Sequence, residues 1–167
     1  MQKLEPPESH QLLAAVGWLE LGNRSEAKAE LAKIDARLQQ HPDVLEVEWA
    51  IHAAEKNWHQ ALAAARALLQ ADPQRSSGWL HQAYALRRVQ SGGLQAAWDA
   101  LLLAYDQFLG EPTIAYNLSC YACQLSRLAE ARKWFTRALK IGGKGQIKAM
   151  ALRDPDLEPL RQEIMNL

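Results

Sequence analysis

Cysteine is scarce in this chain: two of 167 residues, Cys120 and Cys123. That excludes the disulfide framework of a small secreted domain. Net charge is also absent, with 19 Lys and Arg against 19 Asp and Glu. A neutral chain lacks the cationic footprint that a nucleic-acid partner requires, so none is expected. No stretch approaches the ~18 uninterrupted apolar residues of a membrane helix, so no membrane partner is expected either. The opening Met1–His10 is polar and holds Pro6-Pro7 rather than a basic start with an apolar core, which does not read as a secretory signal. A reducing, cytoplasmic location is the expectation.

Catalytic signatures are missing as well. There is no G-x-S-x-G elbow, no phosphate-binding G-x-x-x-x-G-K-[ST] loop and no dinucleotide fingerprint. The five histidines are His10, His41, His52, His59 and His81, and none makes the H-E-x-x-H spacing of a helical zinc site. His52 is expected to be a packed, satisfied histidine. Cys120 and Cys123 form a C-x-x-C, but inside a predicted helix rather than after a strand. No second cysteine pair exists to complete four zinc ligands. No enzyme, cofactor or metal is expected.

What the chain does hold is a repeat. Four short segments end on a small alanine that opens a helix: Asn23-Arg24-Ser25-Glu26-Ala27, Trp58-His59-Gln60-Ala61, Leu94-Gln95-Ala96-Ala97 and Leu128-Ala129-Glu130-Ala131. Those alanines lie 34, 36 and 34 residues apart. A period of this size indicates stacked helical hairpins, none able to bury its apolar face alone. Apolar residues are 49% of the chain, enough for a continuous core. The spacing predicts helices over 7–21 and 25–39, 43–55 and 59–71, 76–89 and 94–108, 112–125 and 128–140, with a last helix near 156–165. Gly142-Gly143 should stop the eighth, and Asp154-Pro155 reads as an N-cap with proline in the first turn. The six tryptophans, spread over all four segments, are read as packing residues.

The pattern resembles the tetratricopeptide repeat. The resemblance rests on Trp58, Ala61, Leu68 and Asp72-Pro73 in the second segment, and on Tyr116-Asn117-Leu118-Ser119, Leu128, Ala131, Phe135 and Ala138-Leu139 in the fourth. The stretch Asp154-Pro155-Asp156-Leu157-Glu158-Pro159-Leu160 is similar to the closing segment of bacterial members. The resemblance implies an all-α, right-handed α-solenoid. It would form one domain, residues 1–167, with repeats at about 8–41, 42–75, 76–111 and 112–143 and a capping region at 144–167. It also implies a concave binding surface lined by the first helix of each hairpin.

On that reading the first helices of the third and fourth repeats present His81, Tyr84, Arg87, Arg88, Tyr116, Asn117, Cys120 and Gln124. Tyrosine and arginine combine apolar area with charged donors, the composition of interface hot spots. Asn117 and Gln124 suit the backbone of an extended peptide. The corresponding positions of the first two repeats, among them Leu12, Val16, Leu19, Val47, Ala50, Ala53 and Ala54, read as small or apolar. They fit a grip on an apolar segment, or a surface over which the N-terminal residues fold. The charge is also uneven: residues 1–60 hold six Lys or Arg and ten Asp or Glu, whereas 127–148 hold seven Lys or Arg and only Glu130. This allows weak head-to-tail self-association. The expected function is an adaptor that takes a protein or peptide partner in the groove. The alternative is a small chaperone that holds an apolar segment of a secretion substrate.

Overall fold

The computed structural model describes residues 3–167. Among them are ten α-helices and no strand. The chain divides into two compact units, Met1–Ala85 and Leu86–Leu167.

The first unit holds α1 (Glu8–Glu20), α2 (Arg24–Leu31), α3 (Pro42–Ala54), α4 (Trp58–Ala71) and nearly all of α5 (Ser76–Leu86). Each start has a local cause. Asn23 accepts the Glu26 N–H at 3.2 Å and so caps α2. The His41 ring accepts the Asp43 N–H at 3.2 Å, and Pro42 supplies a preset φ at the first position of α3. α1 packs on α2, and α3 packs on α4 and on both earlier helices. α5 approaches α4 closely at Gly78, where a Cβ would lie 3.0 Å from Leu69 Cδ2. Leu4 is buried with Ala15, Ala27, Val44, Val47 and Ile51, so part of the chain before α1 does cover the apolar face of the first repeats.

The second unit holds α6 (Leu94–Tyr105), α7 (Pro112–Gln124), α8 (Leu128–Gly142), α9 (Lys144–Ala151) and α10 (Arg161–Met165). α7 packs between α6 and α8, and α9 packs on α8. A 3₁₀ segment, Pro155–Leu160, lies against α7, α8 and α10. The four repeat alanines, Ala27, Ala61, Ala97 and Ala131, are all fully buried at 0% exposure. This is the burial that close helix approach demands. Leu157, Leu160 and Ile164 are buried too, so the tail docks as the sequence led us to expect.

Several boundaries differ from the sequence reading. The helix expected over 25–39 ends at Leu31, and only a 3₁₀ turn at Ala36–Leu38 follows. Gln39 Nε2 donates to the Leu31 and Ile34 carbonyls at 3.0 and 2.9 Å, and Asp35 caps the 3₁₀ turn by accepting the Arg37 N–H at 2.8 Å. α5 and α6 stop three residues early, at Leu86 and Tyr105. The last predicted helix is instead the 3₁₀ segment followed by the short α10.

One regularity was hidden in the sequence. α1, α3 and α7 are each followed, one residue past the C-cap, by a residue at positive φ: Gly22 at 78°, Lys56 at 58° and Ser126 at 60°. In each case the next N–H reaches back five residues, Asn23 to Trp18, Asn57 to His52 and Arg127 to Ala122. This is the Schellman closure that glycine serves best. Lys56 and Ser126 carry a side chain where the left-handed region costs an L-residue about 1–2 kcal/mol. Lys56→Gly and Ser126→Gly are each expected to raise stability by about 0.5–1 kcal/mol, after the extra chain entropy of glycine is subtracted. A lowered urea midpoint for both variants would contradict the assignment.

Candidate partner-binding faces

In the first unit, α3 and α5 build an aromatic cluster. Trp49 stacks on His81 with ring centroids 3.6 Å apart and planes 9° from parallel. Tyr84, one turn beyond His81, meets Trp49 edge-on at 6.0 Å and Trp58 at 5.8 Å. Tyr84 remains 38% exposed, so the cluster is partly open to solvent at its rim. Behind the rings, Glu46 bonds His81 Nε2 at 2.6 Å and also accepts from Ser77. Burial opposes ionisation of Glu46, but His81, Ser77 and Arg75 outweigh it and hold the carboxyl below its ordinary range. The Glu46 carboxylate therefore fixes the His81 ring against Trp49.

The second unit arranges the remaining candidates around the chain's own tail. Asp154 caps the 3₁₀ segment by accepting the Asp156 N–H at 2.9 Å. Its carboxylate also takes the Tyr116 O–H at 2.8 Å and lies 3.6 Å from Cys120 Sγ. Arg87 donates to Asp156 through both terminal nitrogens, at 2.5 and 3.2 Å, and its guanidinium lies over the Tyr121 ring at 5.5 Å. Gln124 Nε2 donates to the Asp156 carbonyl at 3.0 Å. Four predicted site residues, Arg87, Tyr116, Cys120 and Gln124, thus converge on Asp154–Asp156. Asn117 is half-buried on α7, and Arg88 is half-buried beyond the end of α5.

The same geometry sets the acid–base character of this cluster. Burial first, then the adjacent Cys120 and Asp154, pushes the Tyr116 hydroxyl well above its usual range. Burial and the two aspartates do the same to the Cys120 thiol. Burial raises Cys123 to about 11, against the pull of Arg132. Both cysteines are free and buried. Cys120 Sγ and a carboxylate oxygen from each of Asp154 and Asp156 lie within 4.8 Å of one another, close enough to share an ion. A cation there would have to displace the Arg87 and Tyr116 bonds and ionise a thiol that the surroundings keep protonated.

Sequence reasoning missed Glu46, Trp49, Asp154 and Asp156 as parts of these faces. Asp154 was visible only as a helix cap. His52 lies 3.7 Å from Glu48 and 3.8 Å from Glu55, contacts too long for hydrogen bonds, and its buried Nδ1 has no hydrogen-bond partner among the described residues. The satisfied histidine expected there is not observed. Leu12, Val16 and Leu19 pack against the first unit's core rather than forming an open grip. The exposed apolar residues of this region are Leu13, Trp18 and Leu21. No described helix is long and apolar enough to cross a membrane.

No family model matches the chain, and neither does any curated protein. Solved structures do match it. The MamA RS-1 ArsTM double mutant superposes with a TM-score of 0.68 at 16% identity, covering 83% of this chain and 77% of that one. A crystal structure of MamA gives a TM-score of 0.61 at 16% identity, over 91% of this chain and 88% of the other. Ten helices without a strand among the described residues, four buried repeat alanines and this similarity lead to one conclusion: the chain has the all-α tetratricopeptide-repeat solenoid fold of MamA.

Proposed function

We propose that the protein is a non-catalytic interaction scaffold that holds a peptide or helix of a partner on its first-helix faces. The observation that carries this reading is the seating of Asp154–Asp156 in the second unit. There, side chains from α7 and that of Arg87, in the turn after α5, hold an extended residue and the turn after it. They do so by one backbone bond from Gln124 and side-chain bonds from Arg87 and Tyr116. Such a face has the donors and the shape to bind polypeptide. In the second unit the tail supplies that polypeptide and acts as the closing segment of a bacterial repeat protein. In the first unit Trp49, His81 and Tyr84 offer aromatic area that keeps an exposed edge. Arg88 and Asn117 complete the contact set, and all of it belongs to one domain of four repeats in the cytoplasm. The uneven charge adds a weak head-to-tail contact between copies.

A second reading, a chaperone for an apolar segment, draws on the exposed Leu13, Trp18 and Leu21 of α1 and the turn after it. The two separate cleanly. Tyr84→Ala should weaken partner binding by about 1–3 kcal/mol if the aromatic face is the site. Leu13→Ser should do so if α1 grips an apolar substrate. The measurement is a titration of folded variants against the partner captured from the native host. Normal binding by the Tyr84 variant would remove the aromatic face from consideration.

A further inference from the structure

The second unit has another surface that neither first-helix face uses. α8 and α10 enclose a groove of about 230 Å³ lined by Phe135, Leu139, Leu160, Ile164 and Leu167 and bounded by Arg132 and Glu163. That is below the ~300–1,000 Å³ of a small-molecule site, and suits one or two bulky side chains. Arg132 forks onto Glu163 at 2.8 and 3.1 Å, which ties α10 to α8 at the groove's edge.

A cationic strip runs beside it. Arg132 and Thr136 line the groove and also line a shallow basic depression with Lys133, Arg137 and Lys140. Lys133, Arg137 and Lys140 stand at i, i+4 and i+7, on one side of α8. Lys133 and Lys140 are exposed and make no ion pair among the described residues. Arg137 is held in place instead: its guanidinium sits 4.5 Å from the Trp134 ring and 5.2 Å from Tyr105. A positioned arginine between two unpaired lysines makes a fixed positive row, and the apolar groove lies one step around the helix.

We infer that the α8–α10 face docks an acidic, amphipathic segment of another protein, whose bulky apolar side chain enters the groove while its carboxylates meet Lys133, Arg137 and Lys140. Charge decides the sign of the partner, since Lys133, Arg137 and Lys140 line the depression with no carboxylate among them, while Glu163, the acid that lines the groove, is already held by Arg132. Shape decides its class. A lipid surface is flat on this scale and would meet the lysines without filling a concave apolar slot. This inference does not depend on the first-helix faces.

The test selects from a random library of displayed peptides of about 15 residues, roughly four helical turns, against the full chain at low salt. Enriched peptides should carry net negative charge and a bulky apolar residue. Their affinity should fall about tenfold or more for Lys133→Glu/Lys140→Glu, and fall similarly on raising salt toward 1 M, where screening is nearly complete. Thr136→Trp, which fills the groove from an exposed position, should also weaken them. Tyr84→Ala should leave them unchanged, so that failure here and failure of the aromatic face are told apart. Absence of any enriched acidic peptide would overturn the inference, as would acidic peptides whose affinity is indifferent to the charge reversal. So would charge-dependent capture by phosphatidylserine vesicles without any acidic peptide binding. Loss of self-association in the reversed variant, with no peptide competing for the face, would assign it to a second copy instead.

Discussion

Removing residues 144–167 is expected to bring the second unit close to unfolding. The truncated chain loses Ile147, Leu157, Leu160 and Ile164, each 4% exposed or less. Burial of one such side chain stabilises by about 1.5–3 kcal/mol before the cost of ordering is subtracted. Polar groups are stranded as well. Arg87 loses its carboxylate, and Tyr116, whose side chain is buried, loses the acceptor of its hydroxyl. An unpaired buried hydroxyl costs about 1–3 kcal/mol. Together these imply a net loss of about 3–6 kcal/mol, a large part of the stability of an ordinary domain. Urea unfolding followed by tryptophan fluorescence reads it directly, because Trp98 and Trp134 lie in this unit. An unchanged midpoint would show that the tail contributes nothing. Tyr116→Phe isolates one part of the effect and should cost about 1–2 kcal/mol with the tail still docked.

Alkaline destabilisation is the second large effect. Cys120, Cys123, Tyr116 and Tyr121 all hold their protons more tightly in the fold than in the open chain, chiefly because burial penalises the anion. A thiol in the unfolded chain ionises near ~8.5 and a tyrosine near ~10. For an acid whose folded pKa is raised, stability is complete below the unfolded pKa. It then declines as pH climbs toward the folded value, since only the unfolded state releases the proton. Above about pH 9 both thiols should therefore lower stability as pH rises, Cys123 until its folded value of about 11 is passed and Cys120 beyond it, and the tyrosines should add to this near the top of the range. Cys120→Ala/Cys123→Ala should halve the slope near pH 9.5 or better, while leaving the fold intact at neutral pH. A thiol reagent at pH 8 should modify the native protein far more slowly than the urea-unfolded chain. Rapid native modification, or a stability profile flat to pH 10.5, would contradict the burial of these groups.

The helical repeat was legible because it rests on short-range chemistry. An alanine every 34 to 36 residues marks where two helices touch, and all four alanines are buried. Asp154-Pro155 announced its own cap, and Leu157, Leu160 and Ile164 announced an apolar face by their spacing. The turns were less legible. Gly22 signals positive φ by its identity, but Lys56 and Ser126 adopt the same conformation without any such mark. There the Schellman bonds outweigh the steric cost that a local propensity registers.

The candidate site divides along the same line. The sequence placed His81, Tyr84, Tyr116, Cys120 and Gln124 on first helices, as they are, but put Arg87 and Arg88 on α5, which stops at Leu86, so both lie in the turn that follows. It could not say what those side chains face, because their partners lie far along the chain. Arg87 is 69 residues from Asp156, Tyr116 is 38 from Asp154, and His81 is 35 from Glu46. A helix period fixes direction around one axis, whereas an ion pair requires two axes to be placed relative to each other. That placement comes from how the large side chains pack against the small ones, a sum over many weak contacts. Only the tertiary structure decided that the tail's aspartates would hold Arg87 and Tyr116, and that Glu46 would set His81 against Trp49.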